Sequence, residues 1–229
     1  MSRLPFDPAF DELPGSLPVF PLPGVLLLPG GRLPLNVFEP RYLAMVEDAL
    51  KGPRLIGMVQ PRSEPDAGDL RDVGAAELYG TGCAGRLTAF QETDDGRYLV
   101  TLSGLIRFDV TSELPSLRGY RLVQPEWDPY AGDLEVADPP GIDRPRILEA
   151  LRAYFDATGI AGDWEAIEET PNEKLITSVA MICPFEDSEK QALLEAPTLE
   201  RRAEAMTAIL EMAALRGTPA PDGGDAARH

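Results

Sequence analysis

Gly80-Thr81-Gly82-Cys83-Ala84-Gly85 has the G-x-G-x-x-G spacing of a dinucleotide-binding loop. That chemistry needs the glycines between a strand and a helix, so that a helix N-terminus meets the pyrophosphate. The residues that follow, Arg86 to Thr93, read as a strand. The glycines are therefore expected to let a strand bend or bulge, and no cofactor is expected. Lys174 and Ser178 are four apart on a predicted helix, the spacing of a Ser–Lys dyad. A serine in mid-helix has no oxyanion donors nearby, because the amides around it are already bonded. Glu168/Glu169 and Asp94/Asp95 are placed on a solvated helix face and in a turn, where nothing pushes their pKa values apart. Cys83 and Cys183 are far apart, and the single histidine is His229. A zinc site needs about four N or S ligands, so no metal site is expected and both thiols read as small buried groups of a reducing compartment. No phosphate-binding G-x-x-x-x-G-K-[ST] occurs. No catalytic residue is assigned and the chain is read as a non-enzyme.

One cluster remains, Phe38-Glu39-Pro40-Arg41-Tyr42. A cation at Arg41, early in a helix, is unfavourable by ~0.3–1 kcal/mol and calls for a partner. Glu39, another acid or a ligand carboxylate could serve. The first choice is a salt bridge that pins the helix onto the body of the protein, and the second is a binding role.

The elements that position this cluster lie in Leu17–Leu50. Val19–Phe20 and Val25–Leu28 read as short buried strands, separated by Pro21, Pro23 and Gly24. Leu33, Leu35 and Val37 alternate with Pro34, Asn36 and Phe38, a half-buried strand. Pro34 has no amide hydrogen, so this strand belongs at an edge or a bulge. Pro40 opens a helix whose buried stripe is expected at Leu43, Val46 and Leu50.

Beyond Gly52-Pro53, Arg54–Gln60 reads as a strand and residues 61–75 as a polar loop. Cys83–Thr93 and Gly96–Thr111 form a hairpin around Asp95-Gly96, since Asp-Gly supplies positive φ angles. Tyr120–Trp127 is the last strand. Many short strands with one helix and little βαβ alternation indicate a closed or nearly closed β structure. Residues 128–141 read as a linker. The period then changes to 3.6. Asp143 caps a helix carrying Ile147, Leu148, Leu151, Tyr154 and Phe155. Asp163 starts a short helix, Thr170-Pro171-Asn172-Glu173 is a capping box, and Ser188 with Gln191 has the same spacing. Thr198 starts the last helix, which Gly217 ends. The expected domains are a flexible lead-in (1–16), a β-rich domain with one helix (17–127), a helical bundle (142–217) and a disordered tail (218–229).

At 44% hydrophobic the chain can bury a sizeable core. No apolar run approaches the roughly 20 residues of a membrane span, and the N-terminus has no signal-peptide core, so the expected location is cytoplasmic. The net charge of −17 is concentrated in residues 126–200, with 5 basic and 18 acidic groups. Such a surface repels phosphate backbones and anionic lipid, so neither nucleic acid nor membrane is an expected partner.

The run PVFPLPGVLLLPGGRLPLNVFEPRY closely resembles the start of the Lon protease N-terminal, substrate-binding domain. The resemblance continues through RLIGMVQPR (54–62), YGTGCAGRLTAFQETDDGRYLVTLSGLIRF (79–108) and FEDSEKQALLEAPTLERRAEAM (185–206), and is closest to bacterial proteins that consist of that domain alone. Asn36 stands where many members have a histidine after "LPL", so no imidazole role carries over. The resemblance implies an α+β fold, with an N-terminal twisted β pseudo-barrel (PUA-like) followed by a helical bundle. It implies a non-catalytic module that binds unfolded or extended polypeptide, as an adaptor or in quality control, with a separate protease as a further partner. Its candidate binding or signature residues are Pro21, Pro23, Asn36, Phe38, Glu39, Arg41 and Tyr42. The expected mode is an extended segment in a groove between barrel and bundle, its backbone pairing to an open strand edge. The alternatives are a small hydrolase with an unrecognised site, or an acidic docking protein for a basic partner.

Overall fold

The computed structural model describes residues 6–62, 76–135 and 141–216. Its chain divides into two compact units. The first comprises residues 1–137 together with 177–195, and the second residues 138–176 with 196–229.

The first unit is built on six strands: β1 (Leu17–Pro21), β2 (Arg32–Val37), β3 (Leu55–Val59), β4 (Thr81–Glu92), β5 (Tyr98–Leu114) and β6 (Arg121–Glu126). Their order is β2-β5-β4-β3-β1-β6, with a further pairing between β5 and β6. All pairs are antiparallel except β1 with β3. The 17-residue length of β5 decides the topology. One edge of β5 meets β4; the other takes β2 along Tyr98–Ser103 and β6 along Asp109–Leu114. Five strands thus make a ring and β2 stands outside it, a pseudo-barrel rather than a clean barrel. The hairpin between β4 and β5 turns at Gly96, whose φ of +79° an L side chain rarely adopts.

Leu17, Val19, Leu55, Val59, Ala84, Ile106, Phe108, Val123 and Trp127 fill the ring. Phe108 meets Trp127 edge to face at 5.6 Å. A Cβ at Gly82 would sit 2.7 Å from the Phe108 ring. One at Gly85 would sit 2.7 Å from Leu27 Cδ2, beside a shift of strand register. Gly82 and Gly85 of the G-x-G-x-x-G motif therefore make room for core side chains on a strand, while Gly80 precedes the strand with open space around it.

Several local expectations need correction. Val25–Leu28 is not a strand. Leu26, Leu27 and Leu28 are buried, but the Leu28 backbone lies flat on Gly104, bounded by the Pro23-Gly24 and Pro29-Gly30 turns, and forms no ladder. Helix α1 (Pro40–Lys51) buries Tyr42, Met45, Val46 and Ala49; Leu43 and Leu50 sit at the margin of that face. Tyr42 sets this rotation, its ring stacking on Phe20 at 4.0 Å.

Nor is the stretch after β6 a linker at its start. Asp128–Leu134 is a 3₁₀ helix laid on β5, where Asp133 pairs with Arg107 and Tyr130 donates to Asp109 at 2.9 Å. Residues 6–16 are likewise held: Asp7 pairs with the buried Arg86 at 2.7 Å, and Trp127 Nε1 donates to the Pro14 carbonyl.

The second unit holds α2 (Arg144–Thr158), α3 (Trp164–Glu169), the start of α4 (Asn172–Ile182) and α6 (Leu199–Arg216). Asp143 caps α2 by accepting from the Arg146 amide. Ile147, Ala150, Leu151 and Tyr154 form its buried face; Leu148 and Phe155 lie half-buried at its border. Thr170 does not cap α4, because its hydroxyl turns back to the Ala166 carbonyl and the Pro171 carbonyl takes the first helical bond. Residues 177–195, expected in the helical bundle, group with the sheet. They include all of α5 (Asp187–Glu195). In α5 the capping contact is Glu189 accepting from the Glu186 amide, which frees Gln191 to bury its amide and donate to Thr81 O and Glu195. The lead-in before Phe6, most of the 61–75 loop, Gly217 and the tail from 218 lie outside the described residues.

Both thiols are buried, and burial pushes the Cys183 thiol up to about 11. Only the thiolate is a nucleophile. A disulfide-exchange reagent at pH 8 is therefore expected to find no reactive thiol in the folded chain and both after denaturation; one rapid equivalent on the folded chain would contradict this burial.

Candidate functional site

The strand edge and the exposed apolar groups meet at one end of the first unit. Strand β2 pairs with β5 in the register Arg32↔Ser103 to Val37↔Tyr98. The Gly104 amide donates to the Gly31 carbonyl at 2.9 Å, so the Gly31 carbonyl faces β5, while the Gly31 amide donates to the Leu28 carbonyl. By alternation Leu33, Leu35 and Val37 face β5 with their hydrogen-bonding groups, while Arg32, Pro34 and Asn36 turn theirs outward. Pro34 is therefore where a missing N–H costs the sheet nothing.

The side chains of Arg32, Pro34 and Asn36 are exposed. Asn36 stands across from Leu99, which is 41% exposed, and Phe38, 55% exposed, continues the same face. The Arg97 guanidinium lies 5.8 Å from the Phe38 ring. On the opposite face Phe90, 43% exposed, meets the Tyr98 ring at 5.0 Å. The Tyr98 hydroxyl donates to Glu47 on α1, and Arg118 donates to Glu47 and Asp48. Arg118 thereby fixes the loop between β5 and β6, on which Leu117 is fully exposed. Leu99, Phe90 and Leu117 were not singled out from sequence. The alternation around Tyr98 carries a signal for Leu99 and Phe90; Leu117 has only the turn residues beside it.

The Phe38–Tyr42 cluster sits at the start of α1. Arg41 pairs with Glu39 at 2.8 Å, and its guanidinium lies 4.6 Å above the Tyr42 ring. The pair closes the helix N-terminus on itself, and the stacked Tyr42 joins the helix to the sheet. Burial raises the Tyr42 phenol pKa; Arg41 opposes this and Glu39 adds to it. Pro21 and Pro23 are not on this edge. Pro21 is the buried last residue of β1, paired with Val59. Pro23 is half-buried in the turn before Gly24, whose carbonyl accepts from Lys190 at 2.5 Å.

The candidates for chemistry occupy other places. Lys174 and Ser178 are both exposed on α4. An open cleft of about 450 Å³ at the start of α5 is lined by Pro61, Arg62, Tyr79, Phe185, Asp187 and Lys190. Its lysine is committed to the Gly24 carbonyl, and burial lowers its pKa. Among the described residues no group of three His, Cys, Asp or Glu could hold a metal ion, and no helix is long and apolar enough to cross a membrane.

The fold is of the Lon N-domain type. A Lon N-terminal domain protein from Xanthomonas campestris superposes with a TM-score of 0.59 at 23% identity, covering 84% of this chain and 97% of that one. The N-terminal domain of the Mycobacterium avium complex Lon protease does so at 0.56 and 14% identity, covering 85% and 97%. A sequence model of the ATP-dependent protease La (LON) substrate-binding domain matches residues 16–212, and the chain belongs to that family. Similar curated proteins are Lon protease 2 of Myxococcus xanthus, 29% identical over 88% of this chain and 24% of its own length, and Lon protease 2 of Sorangium cellulosum, 36% identical over 48% and 13%. The chain thus spans about a quarter or less of the length of the curated relatives it matches.

Proposed function

We propose that this chain is a non-catalytic recognition module that holds unfolded or extended polypeptide, as an adaptor or in protein quality control. The observation that carries this reading is the outward-facing backbone of β2 beside exposed Leu99 and Phe38, in a family defined by a substrate-binding domain. An edge that no strand among the described residues pairs, with apolar side chains next to it, fits an extended chain better than a compact ligand. Binding is weak per unit area, because an unfolded partner loses chain entropy when it is ordered. A separate protease as partner and a cytoplasmic location are parts of the same proposal.

The test is fluorescence anisotropy with a labelled, permanently unfolded polypeptide, followed by intact masses of both chains. Saturable binding with unchanged masses is expected. A flat titration would remove the reading, and cleavage would replace it with the hydrolase alternative. The acidic docking alternative predicts strong salt dependence, whereas a mostly apolar and backbone-paired contact changes little with salt.

A further inference from the structure

Three carbonyls, those of Arg32, Pro34 and Asn36, face away from β5, but only two amides, those of Arg32 and Asn36, do so. The edge therefore asks an incoming strand for N–H groups at three alternate residues and for carbonyls at only two. A second copy of β2 paired symmetrically about Pro34 does not meet this demand, since with Pro34 opposite Pro34 neither carbonyl finds a donor. Charge narrows the occupant further. In a chain of net charge −17, Arg32 is exposed, and among the described residues no carboxylate forms an ion pair with it. The other end of the edge is apolar, with Phe38 and Leu99.

We propose that polypeptide binds as an added strand on the outer edge of β2, which no other strand among the described residues covers, with an acidic residue opposite Arg32 and apolar side chains toward Leu99 and Phe38. This rests on the polypeptide-binding reading above. The amides used are those of the residues opposite Arg32, Pro34 and Asn36 if the added strand is antiparallel, and of residues next to these if it is parallel; in either direction they fall at alternate residues. The residues between them turn their side chains to the half-buried Leu33 and Leu35.

The probe is a short fluorescent peptide of alternating valine and threonine with one glutamate near an end, and its variants carrying one N-methyl group at each position in turn. Affinity is expected to fall about tenfold at alternate residues and to hold at those between, the size of one lost backbone hydrogen bond. On the protein, Asn36→Pro removes an outward amide that the fold does not use. It is expected to weaken binding about tenfold with unchanged melting, while Asn36→Ala keeps the amide and the affinity. Arg32→Glu is expected to weaken the glutamate peptide and to favour a lysine one. The N-methyl scan uses the natural chain, so it decides the matter even if Asn36→Pro fails to fold. A flat or non-alternating scan overturns the added strand and leaves the proposed function standing if unfolded polypeptide still binds. Concentration-dependent self-association that Asn36→Pro abolishes would also overturn it, by giving the edge to a second copy. No binding of any polypeptide removes both proposals.

Discussion

Arg107→Ala is expected to cost the first unit about 3–5 kcal/mol, the usual penalty for removing one partner of a buried ion pair. Arg107 is 4% exposed. Its Nη2 donates to Asp133 Oδ1 at 2.7 Å, its Nε to Oδ2 at 2.8 Å, and its Nη1 to the Leu194 carbonyl at 3.1 Å. Its own backbone amide also donates to Asp133, at 3.0 Å, and its guanidinium lies 4.7 Å from the Tyr130 ring. Truncation leaves a carboxylate and a helix-terminal carbonyl in a site too enclosed to rehydrate both. Three otherwise separate pieces, β5, the 3₁₀ helix and the end of α5, lose their common anchor. Arg107→Lys is expected to recover only part of the loss, because an ammonium group cannot reproduce the fork that meets both carboxylate oxygens. The measurement is urea unfolding followed by tryptophan emission. The chain has two tryptophans, Trp127 in the first unit and Trp164 in the second. Repeating the titration with Trp164→Phe isolates the affected unit. A midpoint within experimental error of the natural chain would show that the clamp is dispensable.

Gly104→Ala is expected to be nearly as damaging, at about 3 kcal/mol, through a backbone collision rather than a lost bond. An added Cβ would lie 2.0 Å from the Leu28 carbonyl oxygen and 2.8 Å from its carbon. Neither is the end of a flexible side chain, so a whole segment must shift. That segment includes the Gly30 amide bonded to Gly104 O and the Gly31 carbonyl bonded to Gly104 N, both at 2.9 Å. These two bonds hold the entrance to β2. The substitution is therefore expected to raise amide exchange in β2 before it is felt in β3 or β4, and to weaken polypeptide binding at temperatures where the ring is still folded. Equal exchange rates in β2 and a normal melting temperature would contradict the close approach of Leu28 to Gly104.

The two variants act three residues apart near the middle of β5, where it changes partner. Arg107 lies near the half that pairs with β6 and closes the ring, and Gly104 lies just beyond the stretch that pairs with β2. A strand that serves two neighbours on one edge has to change partners somewhere. Gly104 sits in that interval, where the Leu27–Leu28 segment passes.

The sequence alone determined the types of the longer strands and helices, though not the unpaired Val25–Leu28 segment or the 3₁₀ helix at Asp128–Leu134. Period-two alternation marked β2 and β5, Asp95-Gly96 marked their hairpin partner's turn, and Asp143 and Thr198 marked helix starts, because each signal is local: side-chain direction, positive φ or one capping bond. It also placed Pro34 at an edge or a bulge, since a residue without an amide hydrogen cannot sit in a central ladder, and the fold makes it an edge. The G-x-G-x-x-G motif was read as leading into a strand rather than a helix, and β4 is that strand. The tertiary structure alone decided which groups meet. That Val25–Leu28 buries without pairing depends on Gly104, far along the chain. That α1 turns Tyr42 inward depends on the Phe20 ring. That residues 128–134 fold onto the sheet depends on Arg107, and that Gln191 enters the first unit depends on the Thr81 carbonyl. The candidate edge followed the same division. Its missing amide could be read at Pro34, but its exposed neighbours Leu99 and Phe90 depend on strand register, which is fixed by contacts between residues distant in sequence rather than by local preference.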